Sequence, residues 1–343
     1  MYRAAILGCG PRARAHASAY QWVEGGQLVA ICDKDEDRLH AFGEQFGIRA
    51  RYTDLETMLR QEQPDLLHIV TPPTIRVSLL RIASEHNVPA VTVEKPIAIG
   101  SEDYKELRSL ASVTRSKISV NHQLHFHPRC LELQRVVREG EIGPVRLVDA
   151  SARLNLSGQG THVLELVAAF TQGTPATLVF GQCSGASGLE GNHPAPDQAT
   201  AEIQFQNGAV ALFRCGTHAP QISDDRARHM HKRIAVHGER GMVQWTMSWW
   251  ERTRPDGTLE RDYHNYGTED RYGQVGHIEA MFRWLDDPKA VHPANLNASL
   301  DQFLIILGIY TSAIYHEPIS LPFEPEDGLL ESLKKHLRHQ PLA

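Results

Sequence analysis

The chain has 343 residues, 41 % of them hydrophobic, and such a length predicts two domains of roughly 150 residues each. Its formal net charge of -6 and isoelectric point near 6.3 argue against a nucleic-acid partner, which would require clustered lysine and arginine. The five cysteines are scattered without a CxxC pair, which excludes a zinc or dithiol site of that pattern and fits a reducing cytoplasm.

The apolar runs of the sequence do not have the pattern of a secretion signal or a membrane span. The early run AAILGCG reaches glycine too soon for a signal peptide. The run FLIILGIY, from Phe303, is shorter than the stretch needed to cross about 30 Å of hydrocarbon. We therefore expect a cytoplasmic protein without a membrane partner.

The first third of the sequence alternates short apolar runs of β type with amphipathic helical segments. YRAAIL precedes a glycine-rich turn and a helix, and LVAICD precedes a helix that ends at Gly47. The alternation continues through DLLHIVTPP, a helix near 75–86, PAVTVEKP, a helix near 102–111 and KISVNHQ. Repeated strand–helix–strand units predict an α/β fold with a doubly wound parallel sheet over residues 1–122.

The pattern changes after about residue 123. One helix up to Gly140 is followed by a strand PVRLVDASARL, a helix from about Thr161, and then mostly hairpins. EIQFQNGAVALFRC carries an Asn-Gly pair between two β-type runs, which is a strong hairpin signal. We therefore predict a second α/β domain over residues 123–343, with a large open and mostly antiparallel sheet.

The segment GCGPRA lies between the first predicted strand and the first predicted helix. Gly8 permits a tight turn, Gly10 lets the backbone approach a pyrophosphate, and the small Ala13 allows the helix to pack on the strand. Pro11 is tolerated in the first helical turn, where N–H groups have no intrahelical partners. Together with Arg12 these residues predict a dinucleotide-binding site. The alternative is a plain strand-to-helix turn.

Two further strand ends contribute to the predicted dinucleotide site. Asp33 closes LVAICD, where its carboxylate is placed to accept hydrogen bonds from a ribose and to repel a 2′-phosphate, which favours NAD. The adjacent Lys34 leaves NADP possible, and a helix cap is the alternative role for Asp33. Thr71, Pro72 and Pro73 end DLLHIVTPP at the same sheet edge, where either dinucleotide contact or a simple turn is expected.

Lys95 follows the strand in VTVEKPI at that edge, and Glu94 precedes it. Moving a hydride from a carbinol carbon to NAD requires a proton acceptor for the hydroxyl and a cation beside the developing alkoxide. A lysine whose pKa is lowered by burial and neighbouring charge suits this role. We assign Lys95 to catalysis and both residues to cofactor contact. The alternative is an exposed Glu-Lys pair that ends a strand.

His162, in SGQGTH, stands immediately before the amphipathic run VLELVAAF. A histidine with an ordinary pKa of about 6.5 exchanges a proton near neutrality, and the preceding glycines allow a substrate to approach the backbone. The residues alone leave open a second role, in which the histidine bonds to its neighbours at the start of a helix.

Taken in order, GCGPRA, Asp33, TPP, EKP, HFHPRCLELQRVVREGEIGPV, GTHVLEL and IAVHGERGMV resemble the Gfo/Idh/MocA oxidoreductase family over nearly the whole chain. The resemblance implies a Rossmann domain followed by a domain whose open sheet builds a homodimer or homotetramer. It implies NAD(P)-dependent oxidation or reduction of a carbohydrate, inositol or related polyol. It also implies catalytic roles for Lys95 and His162.

Two positions depart from the family pattern. The family usually has an aspartate four residues before the catalytic histidine, where this sequence has Gly158, so the imidazole lacks a group that orients it and stabilises its protonated form. Glu165, one turn after His162, is a candidate to compensate. His125 stands where many relatives have arginine. The residues predicted to bind substrate are Asn121, His122, His125, Gln159, Thr161 and Glu165.

Histidines alternate in HQLHFH, and a strand there would put His125 and His127 on one face. Neither a carboxylate nor a cysteine accompanies them in this segment, so we expect no metal site.

Three functions follow from these observations. The first is an NAD(P)-dependent oxidoreductase that moves a hydride between a nicotinamide and a hydroxyl-bearing carbon of a sugar, inositol or polyol. The second is a redox-neutral NAD-dependent glycosidase that acts through a transient keto-sugar. The third, motivated by Gly158 alone, is a non-catalytic nucleotide-binding sensor or scaffold.

Overall fold

The computed structural model describes residues 1–339 and divides them into two compact units. The first unit comprises Met1–Ala98, Lys105–Phe126 and Asp270–Ser299, and the second comprises Ile99–Tyr104, His127–Glu269 and the chain from Leu300 onward. The segment Asp270–Ser299 thus lies in the first unit, whereas the sequence pattern groups everything after residue 123 together.

The first unit is built on a parallel sheet. In chain order its strands are β1 (Tyr2–Leu7), β2 (Gly26–Cys32), β3 (Ala50–Tyr52), β4 (Leu66–Ile69), β5 (Ala90–Glu94) and β6 (Lys117–Asn121). The intervening helices are α1 (Pro11–Ala19), α2 (Glu36–Phe46), α3 (Leu55–Glu62), α4 (Arg76–Glu85) and α5 (Ser101–Val113). The six strands follow the order β3-β2-β1-β4-β5-β6, and each pairing is parallel. The predicted doubly wound fold is confirmed, while β3 and α3 were not anticipated.

The strand order reverses between β1 and β4, which is the point where open α/β sheets bind ligands at the carboxyl ends of their strands. Every residue of β4 and β5 is buried, as expected for parallel strands covered on both faces. Ala13 is completely buried in a cluster with Ile6 and Ile31, so its small side chain allows α1 to approach the sheet. These contacts place the turn after β1 directly at the reversal point.

The second unit contains a nine-stranded sheet among its described residues. Its strands are β7 (Val145–Ala152), β8 (Ala176–Ser184), β9 (Gln198–Phe205), β10 (Val210–Gly216), β11 (Lys232–Gly238), β12 (Met242–Thr246), β13 (Trp249–Thr253), β14 (Leu259–Tyr263) and β15 (Ile319–Ser320). Their order is β14-β13-β12-β11-β7-β10-β9-β8-β15. The β7–β10 pairing is parallel and the others are antiparallel, so the predicted open, mostly antiparallel sheet is confirmed.

The remaining helices are α6 (Pro128–Arg138), α7 (Thr161–Phe170), α8 (Tyr266–Asp286), α9 (Leu296–Tyr315) and α10 (Leu329–His339). Burial alternates along β9, so one face of the sheet is covered and the other is exposed. The exposed face carries Phe180 and Leu212, which pair with the same residue of β9, Glu202. A predicted Asn-Gly hairpin joins β9 to β10, with Gly208 at a φ of +81°.

The interpretation of HQLHFH as a strand was wrong. Gln123–Phe126 forms a 3-10 turn rather than a strand, so strand alternation cannot align the histidines there. His125 instead packs on Phe126, while His127 packs on His264 and Trp245. No group of three or more potential metal ligands assembles within residues 1–339.

The apolar run from Phe303 is part of α9, which has 20 residues. A helix of that length rises about 30 Å, enough by length and composition to span a membrane, so the expectation that the run is too short was wrong. The protein itself buries 72 % of the apolar window, as it would for a helix in a protein core.

The first unit buries several histidines completely or almost completely: His16, His68, His277 and His292. Burial lowers the pKa of all of them, because the charged ring loses its hydration. For His292 the pKa falls to about 3, with His125 adding to the effect. The rings of His277 and His292 lie 4.4 Å apart, and the charge of a protonated His292 further lowers the pKa of His277.

We expect the stability of this unit to fall as the pH drops below about 6.5. The unfolded chain then binds protons at these histidines, whereas folded His292 does not until about pH 3. For His292, this difference in pKa lowers the free energy of unfolding by about 2 kcal/mol between pH 6.5 and 5. Urea denaturation at pH 7.5, 6.0 and 5.0 measures the effect. His292→Asn, which keeps an acceptor for the Ala294 N–H, should show a shallower pH dependence; an unchanged slope would contradict this account.

Candidate active site

The turn after β1 exposes the backbone at the start of α1. Gly8 has a φ of +94°, and a Cβ there would lie 2.3 Å from the Val70 carbonyl oxygen, so no larger residue fits. Gly10 caps α1 without a side-chain bond, and no described atom lies within 4 Å of the position that a Cβ would take. Pro11 occupies the first helical turn. An open helix N-terminus of this kind fits a dinucleotide pyrophosphate.

Asp33 holds this turn in place from the end of β2. One carboxylate oxygen accepts the Cys9 N–H at 2.7 Å, and the other accepts the Asp35 N–H at 3.0 Å. Asp35, not Asp33, caps α2, so the alternative role of Asp33 as the helix cap was wrong. Lys34 is exposed, and Arg38 Nε lies 3.5 Å from Asp33 Oδ2. Lys34 and Arg38 therefore both accompany the Asp33 carboxylate, and the sequence pattern did not indicate Arg38.

The turns after β4 and β5 are joined by a buried arginine. Arg76, 3 % exposed, donates to the Thr71 carbonyl oxygen from Nε and Nη2, at 3.0 and 2.7 Å, and to the Pro96 carbonyl oxygen from Nη1. Burial lowers the Arg76 pKa to about 10, which leaves the guanidinium charged at neutrality. Pro72 is exposed, and the buried Pro73 begins a short 3-10 turn. Arg76 thus fixes the loop that carries Lys95 relative to the Thr71 loop.

Thr71 also offers a side-chain group to a ligand. Its Oγ1 is buried and has no hydrogen-bond partner among residues 1–339. A buried hydroxyl normally finds a partner, so this atom fits a nucleotide contact. Sequence reasoning identified Thr71 but not Arg76, which reads in isolation as an ordinary charged residue of an amphipathic helix.

Glu94 is buried at the end of β5, beside Lys95. Its Oε1 accepts from Arg12 Nε at 2.8 Å, His16 Nε2 at 2.9 Å and Asn121 Nδ2 at 2.8 Å. Burial alone would raise the Glu94 pKa, but the Arg12 charge and the His16 bond hold it well below its ordinary value. The protein therefore keeps a carboxylate ionised in its interior. Arg12, predicted as a cofactor contact, is partly engaged in this task.

Lys95 is partly buried, and loss of hydration lowers its pKa. The adjacent Glu94 opposes that shift, whereas the charges of Arg12 and Arg76 add to it. The lysine is consequently easier to deprotonate than one in water, as a group that exchanges protons with a substrate must be.

A chain of hydrogen bonds runs from Tyr20 to Glu94 through two histidines, and each group donates to the next. His16 must donate to the carboxylate from Nε2, so its Nδ1 accepts from His68 Nδ1 at 3.0 Å. His68 Nε2 then accepts the Tyr20 hydroxyl proton at 2.7 Å. The tautomers of both rings follow from this order. Neither histidine was singled out from the sequence, because α1 and β4 bring them together only in the folded chain.

Three predicted substrate residues lie near the end of β6. Asn121 is fully buried, and it exchanges hydrogen bonds with Gln274 in addition to its bond to Glu94. His122 and His125 are 3 % and 9 % exposed, and the His125 N–H donates to the His122 carbonyl oxygen. The amide of Asn121 is therefore part of the network that holds Glu94.

The second unit presents His162 in the first turn of α7, where it is 4 % exposed. A π-helical turn, Leu156–Gly160, leads into that helix. A Cβ at Gly160 would lie 2.8 Å from Cys215 Sγ, so only glycine fits where the turn packs on β10. Glu165, 2 % exposed, follows His162 by three residues and therefore lies on the same side of α7.

Three polar side-chain atoms in this region are buried without a hydrogen-bond partner in the described part of the chain: Ser157 Oγ, Gln159 Oε1 and Thr161 Oγ1. Buried hydroxyl and amide oxygens normally find partners, so a cluster of three within five residues marks a place for a polar ligand. Ser157 was not identified from the sequence, although its spacing of four residues from Thr161 was a usable signal.

Comparison with known proteins agrees with this architecture. Residues 2–122 match the model of the Gfo/Idh/MocA family, described as an oxidoreductase family with an NAD-binding Rossmann fold. Residues 2–122 are therefore similar to the NAD-binding domain of that family. The predicted resemblance and the NAD cofactor are thereby confirmed.

Curated relatives of this chain include D-apiose dehydrogenase from Paraburkholderia graminis, 28 % identical over 65 % of this chain. Another is inositol 2-dehydrogenase from Rhizobium meliloti, 25 % identical over 70 % of this chain and 74 % of the relative. The chain matches 62 % of the length of the first D-apiose dehydrogenase and 64 % of a second, from Rhizobium rhizogenes.

Solved structures share the fold of this chain. An NAD-binding oxidoreductase from Klebsiella pneumoniae aligns with a TM-score of 0.81 at 15 % identity, over 94 % of this chain and 99 % of its own. An oxidoreductase from Agrobacterium radiobacter, solved with NAD+, L-tartaric acid and magnesium, aligns with a TM-score of 0.78 at 20 % identity, over 93 % and 98 %.

The two glycines of the first turn give a matched test of the nucleotide site. We expect Gly10→Ala to leave the free energy of unfolding within about 0.5 kcal/mol, because a Cβ there meets no described atom, yet to weaken NAD binding at least tenfold. Gly8→Ala should instead lower stability, since its Cβ would meet the Val70 carbonyl. Calorimetric titration with NAD and urea denaturation measure both. Equal NAD affinity in Gly10→Ala and the unchanged protein would contradict the assigned pyrophosphate position.

Proposed function

We propose that this chain is an NAD(P)-dependent oxidoreductase that transfers a hydride between the nicotinamide and a hydroxyl-bearing carbon of a sugar, inositol or related polyol. The observation that carries the proposal is Lys95, whose pKa is lowered at the carboxyl end of β5, next to the glycine turn of an NAD-binding domain. A lysine at that edge supplies the cation that an alkoxide needs.

In this reaction the bound nicotinamide supplies a hydride acceptor. The Lys95 ammonium stabilises negative charge on the substrate oxygen as its proton leaves, and His162 takes part in moving that proton. The Glu94 carboxylate opposes the deprotonation of Lys95, because it favours the ammonium form. Gly8, Gly10 and the α1 N-terminus would hold the pyrophosphate, and Asp33 and Thr71 would supply further polar contacts.

A polyol is the proposed substrate class because the turn before α7 is rich in unsatisfied oxygen atoms. Ser157, Gln159 and Thr161 would each bond to a substrate hydroxyl, and Glu165 and His125 remain proposed contacts from the sequence. The proposal is supported by relatives that are named for sugars or polyols, without selecting one: D-apiose dehydrogenase, inositol 2-dehydrogenase and D-glucoside 3-dehydrogenase from Escherichia coli.

A homodimer or homotetramer through the second unit's sheet remains our proposal for the assembly. It is supported by the exposed sheet face, where Phe180 and Leu212 are 42 % and 41 % exposed. A cytoplasmic location is also proposed, on the basis of five cysteines that are all free and buried.

Gly158 is the observation that keeps the redox-neutral glycosidase as a second candidate. Without a carboxylate at that position, proton transfer at His162 has a different partner from that of the usual family dyad. A glycosidase would release an aglycone from a glycoside without accumulating NADH, whereas the dehydrogenase would produce NADH in proportion to the sugar consumed. NAD binding without turnover of any free sugar, inositol or glycoside would favour the sensor or scaffold.

Replacement of Lys95 tests the proposed chemistry. We expect Lys95→Ala to lower kcat at least 100-fold on any sugar or inositol that the unchanged protein oxidises, while NAD affinity changes less than fivefold. Reduced nicotinamide is followed at 340 nm, which is the ordinary absorbance assay for it. Lys289→Ala, an exposed lysine of the same unit, serves as the control and should not alter kcat. Undiminished turnover by Lys95→Ala would remove the lysine from the mechanism.

Two threonines, one at the start of α7 and one directly after its end, test the substrate contacts. Thr161→Val should raise KM about tenfold without lowering stability, because its hydroxyl has no described partner to lose. Thr171→Val is the matched control at the other end of the helix. Its hydroxyl donates to the Val167 carbonyl oxygen at 2.9 Å, so it should lower the free energy of unfolding by about 1 kcal/mol and leave KM unchanged. An unchanged KM in Thr161→Val would argue against the proposed contact.

A further inference from the structure

Asn155 occupies the junction between the turn that leads to His162 and the loop at residues 185–197. Its Oδ1 accepts the Gly158 N–H at 2.8 Å, and its main-chain carbonyl oxygen accepts the Gln159 and Gly160 N–H groups at 3.0 and 3.3 Å. One residue thus satisfies three successive N–H groups of the Leu156–Gly160 turn, which sets the direction of the chain entering α7.

The same side chain reaches the loop. Asn155 Nδ2 donates to the His193 carbonyl oxygen at 3.2 Å. A Cβ at Gly188, in the same loop, would lie 3.4 Å from that nitrogen. The Asn155 carboxamide therefore bonds to two segments that are far apart in sequence. Its oxygen accepts from the turn, and its nitrogen donates to the loop.

The 185–197 loop is held together by its own hydrogen bonds, so one bond to Asn155 can fix the position of the loop. The Asp197 N–H donates to the Gly185 carbonyl oxygen at 3.0 Å and closes the neck of the loop. Asp197 Oδ1 also accepts the Gly188 N–H at 2.7 Å and the Ser187 hydroxyl at 2.8 Å. A loop tied at its neck and held on one side by Asn155 forms a firm surface beside the turn.

Asn155 also accounts for the glycine at position 158. A Cβ on Gly158 would lie 2.7 Å from Asn155 Oδ1, closer than non-bonded atoms approach. A side chain at 158 and the Asn155 cap therefore exclude each other in this conformation. In this conformation the Asn155 cap occupies the space that a side chain at position 158 would need.

We propose that Asn155 is a positioning residue that holds the histidine-bearing turn and the 185–197 loop together as one wall of the polyol site, an inference that rests on the proposed function. The acceptor end of its carboxamide fixes the turn, on which proton transfer depends. The donor end fixes the loop, on which substrate affinity depends. Gly158→Asp alone does not restore the usual dyad, because the new side chain displaces the Asn155 cap.

Two substitutions separate the two ends. Asn155→Asp keeps an acceptor for the Gly158 N–H but places a carboxylate oxygen against the His193 carbonyl oxygen. We expect KM to rise about tenfold and kcat to change less than threefold. Asn155→Ala removes both bonds and should also lower kcat about tenfold. Asn207→Ala, which breaks a side-chain bond to the Ala209 N–H at the β9–β10 hairpin, should leave both constants unchanged. Equal kcat and KM values in both Asn155 variants and the unchanged protein would overturn the proposal.

A readout without substrate separates failure of this inference from failure of the proposed function. Backbone hydrogen exchange of residues 185–197 should be at least tenfold faster in Asn155→Asp than in the unchanged protein or Asn207→Ala. Gly158→Asp should lower the urea midpoint, and Asn155→Gly in the same chain should partly reverse that loss. Two results together would overturn the inference even in an active enzyme. One is unchanged hydrogen exchange of residues 185–197 in Asn155→Asp. The other is that Gly158→Asp and Asn155→Gly change the urea midpoint independently, so that their effects simply add. Faster exchange in a protein that oxidises no polyol would support the positioning role and reject the proposed function.

Discussion

The ionised carboxylate of Glu94 is the constraint around which the first unit is organised. A buried charge is tolerated only when donors surround it, and here the donors come from different parts of the chain: Arg12 and His16 from α1, and Asn121 from β6. The same carboxylate influences the charge of Lys95. The glycine turn, the sheet edge and the proposed catalytic lysine are thus tied to one interior anion.

Whereas Glu94 of the first unit is surrounded by donors, the second unit contains buried polar atoms without described partners. Around the turn before α7, Ser157, Gln159 and Thr161 have buried polar atoms that no described side chain or backbone group satisfies. Such atoms lower stability, and proteins retain them where a ligand completes the bonding. The hydrogen bonds around Glu94 fix its carboxylate in place, while these three oxygens are the proposed hydrogen-bond partners of a substrate.

The departure at Gly158 changes how the proposed acid–base group is supported. A carboxylate would act on the imidazole directly, whereas Asn155 acts on the backbone that carries His162. Such support fixes position without adding charge, so it cannot stabilise an imidazolium as an aspartate does. In the proposed mechanism, Asn155 therefore contributes by fixing the backbone that carries the imidazole.

Local patterns in the sequence determined the order of elements. Strand–helix alternation, the Asn-Gly hairpin and GCGPRA predicted both sheets, the turn at Gly8 and the helix after His162, because such signals act over a few residues. The segment at 123–126 was misread since its apolar and polar residues alternate as in a strand, yet the chain turns there. Periodicity alone does not distinguish the two.

The tertiary structure alone decided which polar groups meet. Arg76 joins two strand-end loops, His68 and His16 align behind Glu94, and Asn155 reaches His193, each across a separation in sequence that carries no local signal. Hydrogen bonds of this kind depend on the packing of helices and strands to within a few tenths of an ångström. The sequence by itself determined the fold class and the candidate lysine and histidine; packing determined what holds them.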